Sequence, residues 1–143
     1  MSGALSARLL GVVDALPLRA GLRVLEIGGA PGAAAREVAS RVGPSGHVLV
    51  LDRSPAGIAV TRTSCAELVD AGVLSTLCAP VEDFALDADT PLFDLAFACR
   101  VGALDGRHPA LYEAALRCIR FAVRPGGALY VDTGDPLRRF DLG

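Results

Sequence analysis

Leu5, Leu9, Val12, Val13 and Leu16 recur at helical spacing with Ser6, Arg8 and Asp14 between them, which predicts an amphipathic helix ended by Pro17 and Gly21. From residue 22 to 27 the apolar run is almost continuous, the pattern of a strand covered on both faces. A glycine-rich turn over 28–32 leads into a predicted helix over 33–42, terminated by Gly43 and Pro44. The cycle then repeats. Residues 47–51 read as a second strand ending on Asp52, with Ser54 as N-cap and Pro55 opening a helix that Gly72 closes. A weaker strand over 73–79 gives way to an irregular acidic stretch with Glu82, Asp83, Asp87 and Asp89. Residues 93–98 form a fourth strand, 100–108 a loop, and Pro109 starts a helix to about Val123. Arg124-Pro125-Gly126-Gly127 stops that helix before a fifth strand over 128–132.

This alternation predicts an α/β fold: a doubly wound, mostly parallel sheet with helices on both faces, because each right-handed crossover must cover the sheet it leaves. The order 3-2-1-4-5 follows if the chain doubles back after its third strand, and it opens a ligand crevice beside the first strand. The 143 residues match one domain, 1–143, with no internal repeat or linker.

Composition narrows the function. Fourteen basic and 16 acidic residues are scattered along the chain for a net charge of -2, so no basic stripe exists to hold nucleic acid. Every basic residue is arginine; Lys, Asn, Gln and Trp are absent, which excludes a Schiff-base lysine, a P-loop lysine and a lysine general base. Cys65, Cys78, Cys99 and Cys118 show no metal-binding or redox spacing and read as buried reduced thiols, so no metal site is expected. Arg8 and Asp14 interrupt the apolar start, and no apolar run reaches the roughly 18 residues of a spanning helix. A cytoplasmic protein without membrane contact is the expectation.

The most informative segment is Glu26-Ile27-Gly28-Gly29-Ala30-Pro31-Gly32, in which a buried strand delivers a carboxylate and then a turn with almost no side chains. Glycines let backbone approach a ligand closely, and the helix that follows offers free N–H groups. This segment resembles the first motif of the class I S-adenosylmethionine-dependent methyltransferases, an acidic residue, any residue, then Gly-x-Gly-x-Gly, with Ala30 at the middle glycine. Asp52 stands where that family places the acid that takes both ribose hydroxyls. Residues 93–98 resemble the family's fourth-strand motif, and 123–131 its approach to the fifth, so the likeness covers about residues 20–133.

The resemblance implies S-adenosylmethionine as cofactor, held by Glu26, Gly28, Gly29, Ala30, Gly32 and Asp52. Glu82 or Asp83 is expected at the adenine amino group, with a solvated loop charge as the plainer role; Arg53 is a candidate for packing near the adenine or a surface arginine, and Cys99 is expected at the cofactor mouth through its backbone. Cys99 follows Ala98, not the proline of cytosine methyltransferases, so it is not expected to be a nucleophile. Methyl transfer needs alignment and sometimes proton removal. His108 and Tyr112 are the candidate bases, with N-terminal capping as the plainer role for His108. Arg100 and Arg107 are solvated loop charges or a hold for an acidic substrate group. His47, at the wrong end of its strand, is assigned no function.

Without asparagine or lysine, the Asn-Pro-Pro-Tyr signature and the lysine tetrad of other methyltransferases cannot occur, which points to a small-molecule methyl acceptor. Family members continue past the fifth strand into a further helix and an antiparallel strand pair, which this chain lacks the length to build. Its fifth strand would be an open edge. Either a homodimer or the tail over 136–142 is expected to cover it. Two competing readings are a cofactor-binding regulatory subunit without turnover and an NAD(P)-dependent oxidoreductase. The second would require Gly28-x-Ala30-x-x-Ala33 to serve as a three-glycine fingerprint.

Overall fold

The structure is a computed structural model, and it describes residues 5–143. Helix α1 (Ala7–Ala15) starts at Ser6, whose hydroxyl accepts from the Leu9 N–H, and ends in extended backbone at Leu16. Strand β1 (Arg23–Ile27), helix α2 (Ala33–Val42) and strand β2 (His47–Asp52) follow as the pattern predicts. Next come α3 (Pro55–Ser64), α4 (Ala66–Asp70), β3 (Leu74–Cys78) and β4 (Phe93–Ala98). The chain closes with α5 (Gly102–Asp105), α6 (Tyr112–Ala122), β5 (Val123–Val131) and β6 (Arg138–Asp141).

The six strands form one sheet in the order β3-β2-β1-β4-β5-β6, parallel except for β6. Side chains alternate across it, as a two-residue period requires. Val24, Val48, Val50, Leu95 and Phe97 join α1, α2 and α3 in one core. Leu25, Leu49, Leu51, Ala96 and Leu129 join α6 in the other. Both faces are therefore covered. Asp94 locks the amino-terminal ends together: its carboxylate accepts from the Arg23 N–H at 2.8 Å and from Arg124 Nε at 2.8 Å.

Several boundaries differ from the sequence reading. The helix predicted from Pro55 to Gly72 breaks at Cys65, whose ψ of 25° leaves the helical region. The loop over 100–108 contains the short α5, and a 3-10 turn over Pro109–Leu111 precedes α6. Strand β5 begins at Val123, five residues early, because Val123 already pairs with Phe93 before the register shifts to Leu95 opposite Ala128. Gly127 sits in that shift, where a Cβ would meet the Asp94 carbonyl at 2.8 Å.

The expectation that the antiparallel strands are lacking needs correction: one is present. β6 runs antiparallel to β5, with Leu129 opposite Phe140 and Val131 opposite Arg138, so the tail covers the edge strand. Buried thiols were expected at all four cysteines, but only Cys65 is buried. Cys78 is exposed, Cys99 and Cys118 are half-buried, and all four are free.

Candidate functional site

The carboxyl ends of β1, β2 and β4 surround a cavity of about 560 Å³. Its floor is the bend after β1. The Gly28 N–H donates to the Leu51 carbonyl at 2.7 Å, which turns the chain with Gly28 at φ 72° and leaves the backbone of Gly28, Gly29 and Ala30 on the wall. A left-handed φ of this kind suits glycine. Gly32, the N-cap of α2, does not border the cavity: a Cβ there would come within 2.9 Å of Cys65 Sγ and 3.1 Å of Thr61 Cγ2. It serves the packing of α2 on α3.

The methyl of Ala30, which departs from the glycine pattern, lies against Gly57, where a Cβ would stand 2.8 Å away. The departure is thus absorbed by a second glycine that the motif reading did not single out. Its only sequence signal was its place in the first turn after Ser54, whose hydroxyl accepts the Gly57 N–H.

Asp52 faces the bend. Its Oδ2 accepts from the Ala30 N–H at 3.1 Å and its Oδ1 from the Ser54 N–H at 3.0 Å. A carboxylate has about four acceptor positions, so each oxygen keeps capacity for a ligand hydroxyl. Glu26 is the other carboxylate on the wall. It is only 4% exposed, and its Oε1 has no hydrogen-bond partner. Burial, and then the neighbouring Asp52, push its pKa up to about 8, since both disfavour the anion.

Of the other sequence candidates, Arg53, Glu82, Cys99 and His108 border the cavity, whereas Asp83 and Tyr112 do not. Asp83 lies in the 3-10 turn after β3, its N–H donating to the Pro80 carbonyl. Tyr112 opens α6 and packs on the core of that face. His108 makes no side-chain cap; its N–H donates to the Gly102 carbonyl at 2.9 Å, and its ring packs over Gly102. The Cys99 thiol is pushed up to about 11 by burial, then by Asp132 and Glu26, which leaves it protonated and unreactive at neutral pH. His47 spans the far end of the sheet, its ring nitrogens 2.9 Å from the Gly72 carbonyl and 2.7 Å from Ser75 Oγ.

The sequence reading gave no role to Arg8 and Leu9, yet α1 brings both to the cavity. Arg8 comes within 3.9 Å of Asp132, which also accepts the Arg100 N–H at 3.0 Å. Arg100 adopts a φ of 56°, unusual for a side chain with a Cβ. Arg107 ties the same loop together, binding Asp105 at 2.9 Å and the Arg100 carbonyl at 2.8 Å. Glu82, Asp52 and Glu26 line the side of β3, β2 and β1, and Arg8, Arg100 and Arg107 line the other side, Arg8 beside Asp132 and Arg107 beside Asp105. Arg53 is the exception on the acidic side.

A parallel sheet in this order, with a glycine bend after β1 and an acid ending β2, defines the Rossmann-like class that includes the S-adenosylmethionine-dependent methyltransferases. The methyltransferase domain family matches residues 24–127, and the chain belongs to that family. It is similar to the ubiquinone/menaquinone biosynthesis C-methyltransferase UbiE of Pseudomonas fluorescens, with 35% identity over 115 residues, 80% of this chain and 42% of that protein. Among solved structures it is similar to TrmN from Thermus thermophilus, at 27% identity and a TM-score of 0.65 over 86% of this chain and 35% of that one. The S-adenosylmethionine-dependent methyltransferase SibL matches at 28% identity and a TM-score of 0.65, over 86% of this chain and 34% of the other. The chain spans about two fifths of the length of the curated relatives it matches.

Proposed function

We propose that this chain binds S-adenosylmethionine in the cavity after β1 and transfers its methyl group to a small molecule. The observation that carries the reading is the pair of carboxylates at the glycine bend. Asp52 is aimed by two backbone N–H groups, and Glu26 has a buried oxygen without a partner. Such a set fits a ligand that brings a ribose diol and an ammonium group to the same wall. When bound, the cofactor supplies an activated methyl on a sulfonium. In this proposal Asp52 accepts from the ribose, Glu26 meets the ammonium, the Gly28–Ala30 backbone lies against the ligand, and Glu82 takes the adenine end.

His108 is the proposed proton acceptor, since it borders the cavity on the β4 side, where the methyl acceptor would enter. Tyr112 is set aside because it lies outside the wall. Arg100 and Arg107 frame that entrance. The relatives' name specifies a carbon acceptor, so carbon acids come first in a substrate screen.

Calorimetric titration with S-adenosylhomocysteine and, separately, with NAD tests the cofactor. The reading requires the first to bind and Asp52→Ala to weaken it; tighter binding of NAD would overturn it. Transfer of a labelled methyl to a small-molecule panel separates an enzyme from a regulatory binding subunit. A cytoplasmic location belongs to the same proposal; no helix among the described residues is long and apolar enough to cross a membrane. The sequence reading offered a homodimer or a covering tail for the edge of β5; β6 pairs with β5 as such a tail, and light scattering tests the homodimer.

A further inference from the structure

Asp52 is held from two directions, and both holds rest on one residue that lies outside the cavity wall. The Ala30 N–H donates to its Oδ2 at 3.1 Å, and the Ser54 N–H donates to its Oδ1 at 3.0 Å. Behind Ser54 stands Gly57, whose N–H donates to Ser54 Oγ at 3.0 Å. Behind Ala30 stands the same Gly57: a Cβ built on it would lie 2.8 Å from the Ala30 methyl and 3.3 Å from Ser54 Cβ and Oγ. Carbon atoms in contact keep about 3.5 to 4.0 Å apart, so the Ala30 methyl occupies the room that a side chain at position 57 would need.

Helical backbone does not by itself require this glycine. Gly57 lies in the first turn of α3 without a positive φ, and alanine is the better helix former there. Thr61 Oγ1 donates to its carbonyl at 2.8 Å, which ties the first turn of α3 to the next and holds the residue against the bend. A methyl at 57 would therefore push on Ala30, and the Ala30 N–H would move with it.

We infer that Gly57 is a positioning residue for the ribose of the cofactor. By leaving room for the Ala30 methyl, it lets the glycine bend and the first turn of α3 close on Asp52 together, which aims the carboxylate at the ribose diol. The inference rests on the proposed cofactor reading, in which Asp52 accepts from that diol. It adds that residues 30 and 57 act as a pair with space for one methyl between them.

Calorimetry with S-adenosylhomocysteine on Gly57→Ala, Ala30→Gly and the double variant tests the pairing. Gly57→Ala alone should weaken binding about fivefold, the scale of one hydrogen bond. In the Ala30→Gly background the same change should cost less than about twofold, because the space is then open and the two sites no longer couple. The 2′-deoxyribose form of the ligand, which offers Asp52 one hydroxyl fewer, should lose less affinity on Gly57→Ala than S-adenosylhomocysteine does. A loss that persists undiminished in the Ala30→Gly background, an equal loss for both ligands, or no loss at all would overturn the pairing while leaving the cofactor reading intact. If Gly57→Ala does not fold, recovery of the wild-type circular dichroism in the double variant supports the pairing, and no recovery overturns it. Failure of the wild-type protein to bind S-adenosylhomocysteine would overturn the cofactor reading, and this inference with it.

Discussion

Glu26→Gln should make the protein more stable, by a margin that grows with pH. The wild-type carboxyl keeps its proton when folded up to about pH 8, whereas the unfolded chain gives it up near the ordinary 4.5. The folded state therefore binds the extra proton between those values, and stability from this group, complete below 4.5, is lost as pH rises to about 8. At 1.36 kcal/mol per unit, a shift of roughly 3.5 units sets an upper figure of about 5 kcal/mol for the loss. Between pH 5 and pH 7 the stability gap between variant and wild type should widen by about 2 to 3 kcal/mol. Glutamine keeps the shape and cannot titrate, so all other titrating groups cancel in the difference. Urea unfolding followed by circular dichroism at pH 5, 6, 7 and 8 measures it. A gap that stays constant across that range would show that the buried carboxyl does not hold its proton, and the reasoning would fail.

Asp52→Ala should weaken S-adenosylhomocysteine at least tenfold, about 1.5 to 3 kcal/mol for lost hydrogen bonds to a charged group; unchanged affinity in calorimetry would remove Asp52 from the site. Gly46→Ala places a Cβ 2.7 Å from the Leu22 carbonyl at the entrance to β2 and should destabilise by about 1 to 3 kcal/mol, an overpacking effect that a thermal melt would detect. Burial lowers the pKa of His47 although the Gly72 carbonyl opposes the shift, so the folded state favours the neutral ring; stability should fall as pH drops through 6.5, and His47→Phe should abolish that component in unfolding curves. His108→Ala should slow methyl transfer on the order of a hundredfold, within the usual range for a lost general base, with S-adenosylhomocysteine affinity unchanged. An equal fall in that affinity would recast His108 as part of the cofactor wall.

The order of the parallel strands was legible because two kinds of residue carried it. Near-continuous apolar runs such as 22–27 mark strands buried on both faces, and Gly43, Gly72 and Pro55 punctuate the crossovers. Glu26 stood out as an acid inside a buried run and Asp52 as an acid closing one, and the resemblance to the family's motifs made them a pair.

Less could be read where long-range contact decides. Glu82 rather than Asp83 reaches the wall because a 3-10 turn sets their directions, and two adjacent acids look alike in sequence. Arg8 looked like a break in an apolar helix; only the return of α1 across the sheet ends makes it a cavity residue. Gly57 and Gly32 exchange roles for the same reason. One accommodates a motif methyl from another helix, and the other packs on Thr61 and Cys65, partners about 30 residues away in the chain. β6 was foreseen only as a covering tail, since four residues bearing Arg138, Arg139 and Asp141 carry little of a strand's apolar alternation.

The ties among the arginines give the cavity rim a fixed shape. Arg107 bridges Asp105 and the Arg100 carbonyl, and Asp132 takes the Arg100 N–H, so the segment after β4 is clamped to the end of β5 before any ligand enters.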